Sequence, residues 1–257
     1  MREAPAPPRI SPVAYRSWRA TRLGAITESL EQRAIHQLLG PIDGAEVLDA
    51  GCGDGTLARA MASRGASVTG IDADPLMLAA ARARAEMTGV RVTFLSGRIE
   101  RLPIPDASFD VLVAVTVLCF VADADTAVRE MARVLRPGGR LVLGELGRWS
   151  LWATSRRLRA WLGATTWKAA HFRTAEELRA LLQQAGLSVV TVRGAVFYPP
   201  IGLCAQALAP LDPWLGHRTT IGAAFIALGA TSVSSTRSPG TEIRSMNRGP
   251  SPGRLPQ

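Results

Sequence analysis

Cysteine is scarce in this chain. Its 257 residues hold three, Cys52, Cys119 and Cys204, odd in number and far apart. They suggest neither a disulfide framework nor a zinc site, and a reducing cytoplasm is the expected setting. Lysine is scarcer: Lys168 is the only one among 30 basic residues, so arginine carries the net charge of +9. A basic surface favours anionic partners such as nucleic acid or membrane headgroups, but its sign alone selects none. Long apolar runs are also missing. The uncharged run 111–122 spans twelve residues, against roughly 20 for a bilayer-crossing helix. The apolar segment 195–211 is broken by Pro199, Pro200 and Pro210, and no transmembrane segment is read there. The start, Met1–Pro8, has no apolar core of the kind a secretory signal needs. No internal repeat is apparent. Hydrophobic content of 47% and charge of 20% describe a globular protein with one sizeable core.

What is present centres on Val47-Leu48-Asp49-Ala50-Gly51-Cys52-Gly53-Asp54-Gly55-Thr56. Val47 and Leu48 read as a buried strand that Asp49 closes. Three glycines then precede the helical pattern 57–62. A strand running through a glycine turn into a helix N-terminus bares backbone N–H groups to a ligand. The dinucleotide fingerprint G-x-G-x-x-G requires a third glycine where this chain has Thr56. A carboxylate at the strand end would also repel a pyrophosphate, and it suits a cationic ligand better. Both points disfavour a nicotinamide dinucleotide.

Around this loop, strands and helices alternate. Residues 1–12 are Pro-rich and expected to be disordered. A helix is predicted over 23–39, stopped by Gly40-Pro41, and the first strand leads into the loop. A second strand, 67–71, ends at Asp72, about twenty residues past the loop. In nucleotide-binding βαβ units a carboxylate at that offset meets the ribose hydroxyls. Asp74-Pro75 opens a helix as N-cap and first position. Strands follow at 91–95, 111–115 and 140–145, with a helix over 125–135 that breaks at Arg136-Pro137-Gly138-Gly139. This rhythm implies an α/β fold: a doubly wound, mostly parallel sheet whose ligands lie at the carboxyl ends of its strands.

Across 47–145 the segments L-D-A-G-C-G-D-G, Asp72, L-P-I-P-D-A-S-F-D and V-L-R-P-G-G-R-L stand in an order and spacing that resemble the class I S-adenosylmethionine-dependent methyltransferases. The likeness is to the ubiquinone/menaquinone-biosynthesis-type subgroup and covers about a hundred residues. The flank Tyr15-Arg16-Ser17-Trp18 with Leu23-Gly24 is similar to an element that covers the cofactor in bacterial members. The resemblance implies a seven-stranded Rossmann-like sheet with an antiparallel edge strand, and S-adenosylmethionine as cofactor. It implies that Asp49 holds the methionine amino group through water and that Gly51, Cys52 and Gly53 pass beneath the methionine and ribose. Asp72 would accept both ribose hydroxyls, and Ala73 and Met77 would line the adenine. The Ile99 N–H would meet the adenine edge beside Arg98, and Val115 would be among the cofactor contacts. Many relatives carry Asp where this chain has Arg98, so that contact departs from the pattern. The implied domain spans 13–231, with a core over 45–146, cap and substrate elements at 13–40 and 148–211, and a disordered tail from 232.

The acceptor is less legible. After the fourth strand, Val115-Thr116-Val117-Leu118-Cys119 lacks the Asn/Asp-Pro-Pro-aromatic run of adenine methyltransferases and the Pro-Cys pair of cytosine enzymes, and Cys119 reads as a buried thiol. No catalytic residue is assigned. Glu145 and His171 are the candidates for a base, each read in preference as structural. Residues 148–173 carry six basic residues, four tryptophans and no acid. That composition serves RNA in some proteins. The preferred reading is an amphipathic helix that packs Leu151, Leu158, Trp161 and Leu162 on the domain and turns its arginines to water. Thr174–Glu177 is a capping box opening a helix to Gly186, a strand follows at 187–192, and a last strand is expected over 220–228. Taken together, the chain reads as a methyltransferase for a small, apolar or aromatic molecule. An RNA methyltransferase and a non-catalytic S-adenosylmethionine-binding module are the alternatives.

Overall fold

A computed structural model describes residues 11–232, apart from 165, 166 and 169. The disorder expected at the two ends therefore falls almost wholly outside the described residues. Two helices come first, α1 (Pro12–Ala20) and α2 (Arg22–Leu39), the latter capped by Thr21, whose side chain accepts from the Gly24 N–H. The sheet core follows in sequence: β1 (Glu46–Ala50), α3 (Thr56–Ala62), β2 (Ser67–Asp72), α4 (Pro75–Thr88), β3 (Thr93–Ser96), β4 (Phe109–Val115), α5 (Ala124–Val134) and β5 (Leu135–Leu146). Then come α6 (Leu151–Trp161), α7 (Ala175–Gln184), β6 (Leu187–Ala195), the short α8 (Gly202–Leu208) and α9 (Asp212–Gly216), and β7 (Phe225–Ser232). The Thr174–Glu177 capping box forms in both directions.

Seven strands make one sheet in the order β3-β2-β1-β4-β5-β7-β6. The first five are parallel, and β7 runs antiparallel to both β5 and β6. The expected antiparallel strand is thus one place in from the edge, with β6 outermost. Strand side chains alternate between two faces. Leu48, Leu112 and Leu141 pack with Met131 of α5 and Leu178 and Leu182 of α7. Val47, Val111, Val113 and Val142 pack with Ile35 and Leu39 of α2 and Met61 of α3. Chain order reverses between β1 and β4, and such a reversal opens a crevice at the strands' carboxyl ends.

Three expectations need correction. The last strand covers Phe225–Ser232 rather than 220–228, because Gly222 takes a left-handed turn (φ 85°) just before it. Strand β5 begins at Leu135, where a break was expected. Leu135 already pairs with Phe109, and a register shift absorbs the Pro-Gly-Gly segment. The largest correction concerns α6: Leu151, Leu158, Trp161 and Leu162 are exposed, and its buried residues are Trp152 and Ala153. The Trp152 indole N–H donates to the Tyr198 carbonyl at 2.9 Å, and that bond fixes which face turns inward. The segment after β6 packs rather than projects. Val196 and Phe197 donate their N–H groups to the buried Asp212 carboxylate at 2.9 and 2.8 Å, and the Tyr198 hydroxyl bonds Thr27 at 3.0 Å.

Candidate active site

The glycine loop caps the tip of β1. Gly51, Gly53 and Gly55 all have positive φ (78°, 53° and 72°), a region costly for other L-residues. A Cβ on Gly51 would run into Val117, and one on Gly55 would meet Ala81 and Phe94. Gly53 differs, because a Cβ there would point into open space. At Gly53 the positive φ, rather than packing against protein, calls for glycine. The Gly51 and Cys52 N–H groups both donate to the Ile71 carbonyl, at 2.7 and 2.9 Å, tying the loop to β2.

Asp72 ends β2 and is shared by two turns. One oxygen accepts from the Gly53 N–H at 2.8 Å, the other from the Asp74 N–H at 2.8 Å. Burial raises its pKa, and these N–H groups offset part of the rise. The Asp72 carbonyl accepts from the Gly97 N–H at 3.1 Å, which brings the turn after β3 to the same edge. In that turn the Ile99 side chain is buried, and its N–H has no acceptor among the described residues. Arg98 points outward and pairs with Glu100 at 2.6 Å. Ala73 is exposed beside Asp72, and Met77 is half-buried in the first turn of α4. Val115 is half-buried at the end of β4, opposite Gly144.

Asp49 is the unusual group. It is 3% exposed, and its Oδ2 has no hydrogen-bond partner among the described residues. Burial pushes its pKa up to about 7, with Asp72 and Asp54 adding like-charge repulsion. A buried carboxylate oxygen without a partner is costly. Asp49 lies near the carboxyl end of β1, a central strand of the sheet.

Helix α1 carries the flank expected to cover the cofactor, and the structure adds how that helix is tied to the glycine loop. Helix α1 packs on α2 and reaches α4. From it, Arg19 pairs with the buried Asp54 of the glycine loop and with Glu28 at 2.9 Å. Arg84 of α4 binds the same Asp54 at 2.7 Å and Thr56 at 2.6 Å. Burial alone would raise the Asp54 pKa, yet Arg19, Thr56 and Arg84 together hold it below its ordinary value. Tyr15 and Trp18 stack beside this knot, with Arg19 over the Tyr15 ring. Tyr15 and Trp18 were visible as a flank motif. Arg19 lay beside them, but no local pattern marks a pair with a residue 35 positions away.

On the other side of the crevice, Glu145 is 1% exposed at the end of β5. Its carboxylate accepts from three backbone N–H groups, those of Val117 and Leu118 at 3.1 and 2.8 Å and that of Cys119 at 3.1 Å. Burial pushes its pKa to about 7 and these bonds work against the rise. Both oxygens are therefore committed to holding the 117–119 turn. His171 has an exposed side chain, and its backbone N–H bonds the Cys119 carbonyl at 2.8 Å. Cys119 is fully buried and its thiol pKa is pushed up by burial.

A doubly wound sheet whose chain order reverses beside Asp49, Asp54 and Asp72 belongs to the class of folds that bind a ligand at the carboxyl ends of their strands. Comparison with known proteins gives that class its family. Residues 48–143 match the family model described as a methyltransferase domain. The chain is 33% identical over 185 residues to a ubiquinone biosynthesis O-methyltransferase of Cereibacter sphaeroides, a match covering 69% of this chain and 75% of that one. Among solved structures it is similar to a SAM-dependent methyltransferase of Thermotoga maritima described as a possible histamine N-methyltransferase. There the TM-score is 0.65 at 25% identity, covering 84% of this chain and 93% of the other. An S-adenosylmethionine-dependent methyltransferase of Mesorhizobium loti gives a TM-score of 0.59 at 26% identity, covering 78% and 97%. The chain belongs to the S-adenosylmethionine-dependent methyltransferase family, and S-adenosylmethionine is its cofactor. Among the described residues no helix is long and apolar enough to cross a membrane.

Proposed function

We propose that this enzyme methylates an oxygen of a small aromatic molecule, held between the cofactor crevice and the inner face of α6. The observation that carries the cofactor half is the unpartnered Oδ2 of Asp49, placed to accept from the ammonium of the methionine portion. The backbone of Gly51, Cys52 and Gly53 passes beneath the methionine and ribose, and the open side of Gly53 leaves the room. Asp72 keeps lone pairs free beyond its two backbone bonds and accepts the ribose hydroxyls as charge-assisted contacts. Ala73 and Met77 border the adenine, and the unused Ile99 N–H meets its edge. Arg98, paired with Glu100, lies at the rim, and Val115 closes the crevice beneath the methionine.

When bound, S-adenosylmethionine supplies an electrophilic methyl group on a positively charged sulfur. The chain's own contribution is alignment and exclusion of water. In-line transfer needs the acceptor's lone pair held against that methyl in a dry pocket, and little else. Glu145 acts through the turn it holds: fixing Val117, Leu118 and Cys119 fixes the wall facing the acceptor. An oxygen acceptor is favoured by the likeness to a relative named as an O-methyltransferase. RNA is disfavoured by how the basic segment uses its arginines. Arg148 donates to the Phe172 carbonyl and pairs with Glu177, and Arg173 donates to the Leu118 carbonyl. The test is an acceptor screen in cell extract with radiolabelled S-adenosylmethionine, comparing wild type with Asp72→Ala. Labelling of a small molecule that disappears in the variant supports the reading. Labelled RNA would replace the acceptor assignment, and labelling untouched by the variant would reject this pocket.

A further inference from the structure

Arg156 belongs to α6 and is half-buried. On α6 it lies four residues after Trp152, hence on the inward face. Its guanidinium carbon sits 5.2 Å from the Trp152 ring centroid and 4.6 Å from that of Trp167. Trp167 is in turn flanked by Phe120 at 6.3 Å and Phe172 at 6.5 Å, so the aromatic wall runs on from Cys119. Among the described residues the guanidinium has neither a hydrogen-bond acceptor nor an ion-pair partner within 4 Å, unlike Arg148 and Arg173 of the same segment. Burial lowers its pKa, and Glu31 of α2 and Tyr15 of α1 are close enough to act on it electrostatically. Tyr15 is also within reach of Asp54 in the glycine loop, and Val117, two residues before Cys119, lies against Gly51. Arg156 therefore stands on the acceptor side of the crevice.

We infer that Arg156 is the anion receptor of the acceptor pocket, and that the acceptor carries a carboxylate on or beside its aromatic ring. A guanidinium lying over aromatic faces keeps the N–H donors at its rim available, in the fork that matches a carboxylate. Arg156 is half-buried, and its nitrogens are not among the sealed polar atoms, so a carboxylate can reach them by displacing water. Glu31, close enough to act on Arg156 electrostatically, disfavours a dianion such as a phosphate monoester. The tryptophan and phenylalanine rings supply the surface for the acceptor's ring.

This inference rests on the methyl-transfer reading above, and its test separates the two. Protein saturated with S-adenosylhomocysteine is titrated, by ligand-observed NMR, with matched aromatic acids and amides: benzoate and benzamide, 1-naphthoate and 1-naphthamide, indole-3-acetate and indole-3-acetamide. In at least one pair the acid should bind wild type about tenfold more tightly than the amide, as loss of a charge-assisted bond predicts. Arg156→Gln should bring the two within about twofold, and Arg156→Lys should leave a preference between these, since an ammonium holds the charge without the fork. Both variants should still bind S-adenosylhomocysteine. Should Arg156→Gln not fold, the Lys variant decides alone, by a reduced acid preference. Acids and amides binding alike, no acid binding at all, or a preference untouched by the substitutions would overturn the inference and leave the cofactor site standing. Failure of wild type to bind S-adenosylhomocysteine would instead overturn the reading beneath it.

Discussion

Arg19 reaches from the first helix to Asp54 in the glycine loop, and Arg84 meets the same carboxylate from α4. One buried acid thus fastens α1, the glycine loop and α4 together. The Asp54 side chain is 4% exposed and that of Arg19 12%, so water screens the pair weakly. Removing one partner of a buried pair leaves the other uncompensated. Asp54→Asn should destabilise the protein by about 3 kcal/mol, read as a lower urea midpoint. Because the folded pKa of Asp54 lies below the ordinary 3.8, its contribution is fully present above that value and is lost as pH falls through the folded one. Wild type should therefore have a steeper acid limb below about pH 4 than Asp54→Asn; identical acid limbs would dissociate the knot from stability.

The two loop glycines should respond differently to alanine. Gly51→Ala combines a left-handed backbone with a clash against Val117, and it should lower both stability and S-adenosylhomocysteine binding. Gly53→Ala carries only the backbone penalty, about 1 kcal/mol, because its Cβ meets no protein atom. It should keep most of the stability while losing affinity. Thermal melting and calorimetric titration of the two variants check this, and equal behaviour would contradict the assignment of Gly53 to the ligand.

Glu145→Gln tests the role of the acid under the 117–119 turn. A glutamine keeps one acceptor but turns an amide N–H₂ toward a backbone N–H that the carboxylate now accepts. The expected result is methyl transfer reduced by at least tenfold with S-adenosylhomocysteine affinity within about threefold, since a lost buried bond is worth about 1–3 kcal/mol. A loss of transfer that follows the ionisation of Glu145 near pH 7, with the turn unchanged in structure, would make it a base instead.

Much of this was readable in the chain because it is local. The loop, Asp72 at its offset, the Asp74-Pro75 helix start and the Thr174–Glu177 box are each written within a few residues. What escaped was long-range or two-sided. Helix α6 is apolar on both faces, so periodicity alone could not choose between Trp152 with Ala153 and the stripe from Leu151 to Leu162. The choice is made by Tyr198, 46 residues on, through the Trp152 indole. The Arg19–Asp54–Arg84 knot joins three elements whose spacing follows no motif, and the same holds for Arg156 opposite Glu31. The apolar run 221–228 looks continuous, while the left-handed turn at Gly222 delays β7 to Phe225.

The central claim is that the lone oxygen of Asp49 grips the cofactor's ammonium. The most direct measurement is the pH dependence of S-adenosylhomocysteine binding, by calorimetry, to wild type and Asp49→Asn. The buried carboxyl has a pKa of about 7, and an ammonium prefers its ionised form, so wild-type affinity should fall toward tenfold per unit as pH drops below 7. Asp49→Asn should bind weakly and show no such slope. Wild-type affinity that is flat between pH 5 and 7, or a variant that binds as tightly as wild type, would contradict the account.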